Sequence, residues 1–163
     1  MLKSPAYLGQ EPLLAEIFPD AVFITTNRNP VDTMSSAASL CSSYQQAYSD
    51  ADRDAFLGPM MLAGFGMAMQ QHLAARAQHP QLRFLDIGYA ELTQHAQQSV
   101  QNVYAYLGMS LSAEARDAML QWEQANQQHK QGVHRHRLEH YSLTPEMVQG
   151  YFGDYIDRFA SRF

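Results

Sequence analysis

The chain has 163 residues, enough for one domain, and its 46% hydrophobic and 17% charged residues mark a chain that buries a core rather than a disordered tail. A formal net charge of −5 argues against nucleic acid as the main partner, because phosphate-backbone binding normally shows as a basic face. The N-terminus lacks the apolar run of a secretory signal, the apolar stretch from Leu57 to Met69 is too short to span a bilayer, and the single cysteine, Cys41, has no internal disulfide partner, so the expected setting is the reducing cytoplasm, with no membrane.

In chain order, Leu2-Lys3-Ser4-Pro5 reads as the end of a strand, and Glu11 to Phe18 as a short helix with Leu13, Leu14 and Ile17 on one face. Pro19-Asp20 turns the chain into Ala21 to Thr26, apolar, β-branched and too short for a helix, hence a buried strand. Asn27 to Pro30 breaks it. Val31 to Tyr48 and Asp54 to Gln78 read as helices, the second stopped by His79-Pro80 because a residue before proline avoids the helical region. Leu82 to Ile87 is a second strand. Tyr89 to Leu107 reads as one helix closed by Gly108, and Ser112 caps another that runs to about Gln127. Gln128 to His140 is a polar, basic, histidine-rich loop; Thr144-Pro145-Glu146 opens a helix, and Phe152 to Phe163 forms the last one. Strands alternating with helices predict a single α/β domain over residues 1–163, with a small parallel sheet and a large helical share.

One segment carries chemistry. Arg28 stands just past the C-terminal end of the first strand, the edge at which open α/β sheets bind ligands, and the following helix turns its positive N-terminus to the same place. A guanidinium there grips phosphate through two parallel hydrogen bonds. Ser36, eight positions on, lies inside that helix where its hydroxyl can face the same pocket.

Arg28-Asn29-Pro30-Val31-Asp32 followed by Ser36 resembles the 3′-phosphate motif of sulfotransferases, R-N-P-x-D-x-x-x-S. In that family the arginine and serine hold the 3′-phosphate of the sulfuryl donor PAPS (3′-phosphoadenosine 5′-phosphosulfate). The resemblance continues in family order along the chain. Leu2-Lys3-Ser4-Pro5-Ala6-Tyr7-Leu8 is similar to the "LKSPxHL" segment of the bacterial branch, whose lysine steadies the charge on the leaving phosphate oxygen; Lys3 matches it. Tyr7 stands where that branch has a histidine, and a phenol with an ordinary pKa near 10 is a poor base at neutral pH. Phe84 to Leu92 resembles the strand followed by "Y-E-D-L", which puts Tyr89 beside the adenosine part of the donor; the plain alternative is an amphipathic core tyrosine at a helix start. Val103 to Ser112 resembles the "FLGxxLS" hinge, a packing element, and His140-Tyr141-Ser142-Leu143 resembles "HxYSL". Lys130, Arg135 and Arg137 sit in the counterpart of the late basic loop that closes over the 3′-phosphate, with the contacting side chain left open among them.

The resemblance implies transfer of a sulfuryl group from PAPS to a hydroxyl or amine of a small-molecule acceptor, without a metal, on a partial P-loop-type α/β fold. It also implies an N-terminal strand and phosphosulfate loop of the type "P-R-S-G-T-T", which these residues do not contain; Gly64-Phe65-Gly66 sits in a helical pattern and is no substitute. The expectation is therefore an N-terminally truncated sulfotransferase-like chain with weak or no activity by itself, which pairs with another chain supplying the rest of the sheet or forms a homo-oligomer. The alternative is a catalytically dead module that binds nucleotide or protein. Two rivals rank lower. His129, His134, His136 and His140 lack an accompanying cysteine and a zinc spacing, so they read as a solvated basic loop. Cys41 lies among small residues with no nearby base, as a structural thiol does.

Overall fold

A computed structural model describes residues 1–126 and 136–163. Helix α1 (Glu11–Ile17) leads into strand β1 (Val22–Asn27), then α2 (Pro30–Gln46) and α3 (Asp54–Gln78) cross to strand β2 (Arg83–Gly88). Three helices follow directly, α4 (Tyr89–Gln94), α5 (Ala96–Tyr106) and α6 (Ala113–Ala125), and α7 (Pro145–Phe159) comes after the segment left undescribed. The strands pair in parallel, Val22 opposite Arg83 through Asn27 opposite Gly88. The fold is thus α/β and helix-dominated around a two-stranded parallel sheet, as the alternation of patterns predicts.

The core lies between α2, α3 and α7. Val148, Phe152, Tyr155 and Phe159 recur at helical spacing on α7 and are all buried, meeting Met34 and Ala38 of α2 and Leu62 of α3. Cys41 is half-buried against this cluster, in keeping with a structural thiol. Leu138 to Tyr141 forms a 3-10 turn that plugs one end, so close to α3 that a Cβ on Gly58 would lie 1.9 Å from the Tyr141 carbonyl oxygen. Among the described residues no helix is long and apolar enough to cross a membrane; the stretch from Leu57 to Met69 is part of α3.

Four elements differ from the sequence reading. Residues 2–5 pair with no strand among the described residues; the Ser4 hydroxyl instead accepts from the Ala6 amide and caps a 3-10 turn at Pro5–Tyr7. The span from Tyr89 is two helices, not one, broken at His95; the Thr93 hydroxyl donates to the carbonyls of Tyr89 and Ala90, a local bond that competes with continued helix. Conversely, the last two predicted helices are one. Gly150 and Gly153 lie inside α7, where packing of its apolar face outweighs their poor propensity. Strand β1 is covered on only part of its surface, with Ile24 43% exposed, so it is not the fully buried strand its composition suggests.

Candidate functional site

A cavity of about 560 Å³ follows β1. Successive residues from Val22 to Arg28 line it whichever way their side chains alternate, so it meets the strand along its unpaired edge. Lys3 reaches it from one side and Arg28, with Pro30 and Thr33 of the α2 N-terminus, from another. A third wall is apolar: Phe65 and Met69 of α3 with Phe152 of α7. A second, apolar groove of about 250 Å³ between α5 and α6 holds none of the candidate donor-binding residues and touches only Leu111 of the hinge motif.

Arg28 is fixed by its backbone. Its amide donates to the Tyr155 hydroxyl at 3.1 Å, and that hydroxyl donates to the Arg28 carbonyl at 3.2 Å. One buried phenol on α7 thereby satisfies both backbone groups of the residue that follows β1; burial raises the Tyr155 pKa and keeps it the neutral donor this needs. The Arg28 guanidinium lies 4.5 Å from the centre of the Tyr89 ring. Among the described residues no carboxylate pairs with Arg28 or with Lys3, so both charges are available to an anion. At the head of α2 the Asn29 side chain accepts from the Val31 amide, which starts the helix directly behind Arg28.

Along the cavity runs a chain of buried and half-buried polar groups. Asp86, opposite Thr25 in the sheet, accepts from Thr25 Oγ1 at 2.9 Å, from Asn27 Nδ2 at 3.3 Å, and from both terminal nitrogens of Arg76 at 2.9 and 2.5 Å. Burial alone would raise its pKa, but these donors and the Arg76 charge bring it below the ordinary carboxylate value. The Arg76 guanidinium lies 4.3 Å from the centre of the Phe84 ring and 5.3 Å from that of Phe159, and approaches His72 Nε2 at 3.5 Å. His72 Nδ1 bonds Glu11 Oε1 at 2.5 Å. Both Glu11 and His72 are buried and line the cavity. For Glu11 too, burial pushes the pKa up, and the His72 hydrogen bond and nearby backbone donors bring it below its usual value.

The cavity therefore brings together Lys3 and Arg28, with Tyr89 against the Arg28 guanidinium. Ser36 is half-buried on α2 and does not line the cavity; its neighbour Ser35 is the buried serine, bonded to the Asp32 carbonyl and, at 2.7 Å, to His136. Arg137 is exposed where the chain re-enters the described residues, next to the His136 that holds it to α2. Lys130 and Arg135 lie outside the described residues. Tyr7 lines the cavity and is 38% exposed. Among the described residues no group of histidine, cysteine and carboxylate side chains could hold a metal ion. Sequence reasoning missed Tyr155, Arg76, Asp86, Glu11 and His72. Asp86 gave a signal, a charge inside the apolar strand Phe84-Leu85-Asp86-Ile87, which requires a buried partner. Tyr155 gave none, because its bonds to Arg28 span 127 positions.

Comparison with known proteins bears on the fold and the family. A crystal structure of sulfotransferase STF9 from Mycobacterium avium superposes with a TM-score of 0.83 at 23% identity, over 97% of this chain and 41% of that one. Sulfotransferase STF1 from Mycobacterium tuberculosis H37Rv gives 0.73 at 29% identity, over 94% and 39%. The chain thus spans about two-fifths of the length of these two structures. No curated protein matches it. The sequence model of the sulfotransferase family covers residues 1–114 of 163, and with that coverage the chain belongs to the sulfotransferase family.

Proposed function

We propose that this chain binds the 3′-phosphoadenosine end of PAPS in the cavity along β1 and takes part in transfer of its sulfuryl group to a hydroxyl or amine of a small-molecule acceptor. One observation carries the reading: Arg28 reaches the cavity at the head of α2, held by its backbone and free of any carboxylate among the described residues. In this reading Arg28 and the first turn of α2 grip the 3′-phosphate, with Ser36 as the helix hydroxyl of the same motif. Tyr89 stacks beside the adenosine. Lys3 stabilises the phosphate oxygen released as the sulfur–oxygen bond breaks, a charge that develops only in the transition state. Arg137, or Arg135, covers the phosphate from the late basic loop, and no metal takes part. Cytoplasmic placement and a single domain belong to the same proposal.

Calorimetric titration with PAP, the desulfated product, tests the donor site, and Arg28→Ala is the control. Replacing a fork that makes charge-assisted hydrogen bonds should weaken PAP on the order of tenfold to a hundredfold. The catalytically dead binding module gives the same titration and differs in turnover: the enzyme forms a sulfated acceptor from PAPS, and the module does not.

A further inference from the structure

The face made by α5 and α6 takes no part in the cavity along β1, and the two share no lining residue. Helix α6 has no buried residue in its 13 positions, although it carries Met119 and Trp122, 40% and 67% exposed. A helix of that length is marginal in water by itself, and an apolar side left open gives it little support. With Val100 of α5 and Leu111, these two side chains line the apolar groove of about 250 Å³. A further groove of about 340 Å³ continues from it, the two meeting at Ala96, Gln97 and Glu123. Apart from Ala96, that second half is lined by polar residues: Gln94, His95, Gln97, Gln98, Gln101 and Glu123. Of the four carboxamides only that of Gln98 has a side-chain partner among the described residues, Asn102 at 3.0 Å.

Size and chemistry together define an occupant. The two halves fall within the roughly 300–1,000 Å³ of small-molecule sites. An apolar strip of four side chains is far short of the roughly 20–30 residues a side that a stable protein interface uses. The strip suits a hydrocarbon chain laid against Trp122 and Met119. Carboxamides both donate and accept, and so do the hydroxyls of a sugar ring, which makes the polar half a match for a neutral polyol. An anionic head would meet no lysine or arginine there and would face Glu123; Arg116, which lines only the apolar half, already has the Asp117 carboxylate 3.6 Å away. An ammonium head would meet Glu123 but would leave the carboxamide N–H groups without an acceptor.

We propose that this composite groove is a binding site for a neutral glycosylated amphiphile, with its hydrocarbon chain on Trp122 and Met119 and its sugar hydroxyls on the carboxamides of Gln97 and Gln101, which share one face of α5. The site is separate from sulfuryl transfer, and the inference stands or falls independently of that reading.

The chain has one tryptophan, so its emission reports this groove. Hexyl β-D-glucoside, kept below its micelle concentration, is titrated into the folded chain beside hexanol, hexanoate and hexylamine, which carry the same hydrocarbon on other heads. The glucoside should give a saturable blue shift with a dissociation constant on the order of a millimolar or below, and bind about tenfold more tightly than each of the others. Replacing both carboxamides, Gln97→Ala with Gln101→Ala, should cut that preference to about twofold or less and leave hexanol binding unchanged. Met119→Asp should abolish binding of glucoside and hexanol alike. All three positions are exposed, so these substitutions spare the core. PAP affinity should be the same with and without the glucoside. No saturable shift in the wild-type chain, or binding of any of the other three heads as tight as that of the glucoside, would overturn the proposal, and that comparison needs no variant. An unchanged preference in the double variant would overturn it as well, and so would competition between the glucoside and PAP, which would put the glucoside in the cavity along β1. Failure of PAP to bind would bring down only the donor-site reading.

Discussion

Arg28 shows how a site residue is made reliable by a partner far away in the chain. The phenol of Tyr155 bonds both its amide and its carbonyl, so the side chain starts from a fixed backbone rather than from a loose turn. Tyr155→Phe keeps the ring packing against Phe152, Phe159 and Phe163 but removes both bonds. We expect a loss of about 1 kcal/mol in stability, measured by urea unfolding, together with a severalfold weaker PAP titration because Arg28 is no longer prepositioned. The motif around Arg28 was legible because donor, turn and helix start are local in sequence. The partners were not, since nothing in a local pattern links position 28 to 155 or position 11 to 72. On α2, Ser36 is half-buried, Ser35 is the buried member of the pair, and Thr33, Met34 and Ala37 line the cavity.

At the scale of elements, two contacts decide whether the cavity keeps its walls. The first is the approach of α3 to the turn at Leu138–Tyr141. Gly58 has no room for a side chain there, and Gly58→Ala should cost about 2 kcal/mol in a thermal or urea melt as helix and turn move apart. The second is the Arg76–Asp86 pair that ties α3 to β2, with side chains 10% and 14% exposed. Removing one partner leaves the other charge buried, so Asp86→Asn should destabilise by about 3 kcal/mol. The same carboxylates set the acid response. Asp86 and Glu11 have pKa values lowered in the folded chain, so their stabilising contribution is present above the ordinary carboxylate range and is lost as the pH falls through the lowered values. Stability should therefore drop below about pH 4, and Asp86→Asn should flatten that drop. A steeper fall in the variant would contradict the assignment. Helix and strand positions were largely legible, because apolar periodicity and proline stops are local signals. The errors came where tertiary packing or a side-chain bond overrode them, at α7 and at the break between α4 and α5.

For the whole molecule, the sheet is the part that sequence patterns described least well. Two parallel strands with β1 edge-on to a cavity are a small platform, and Ile24 with Ile17 and Phe18 remains exposed nearby in sequence. Composition identified β1 as a strand but not which of its sides would be covered, because coverage depends on how many elements pack around it. The order of motifs from Lys3 to Tyr141 was more informative than any one of them. The account's central claim is that the cavity beside Arg28 is a site for the 3′-phosphate of the sulfuryl donor. It is tested most directly by calorimetric titration of the folded chain with PAP, alone and with Arg28→Ala. We predict saturable binding that weakens on the order of tenfold to a hundredfold in the variant. Identical binding by both proteins, or none by the wild type at millimolar ligand, would contradict it.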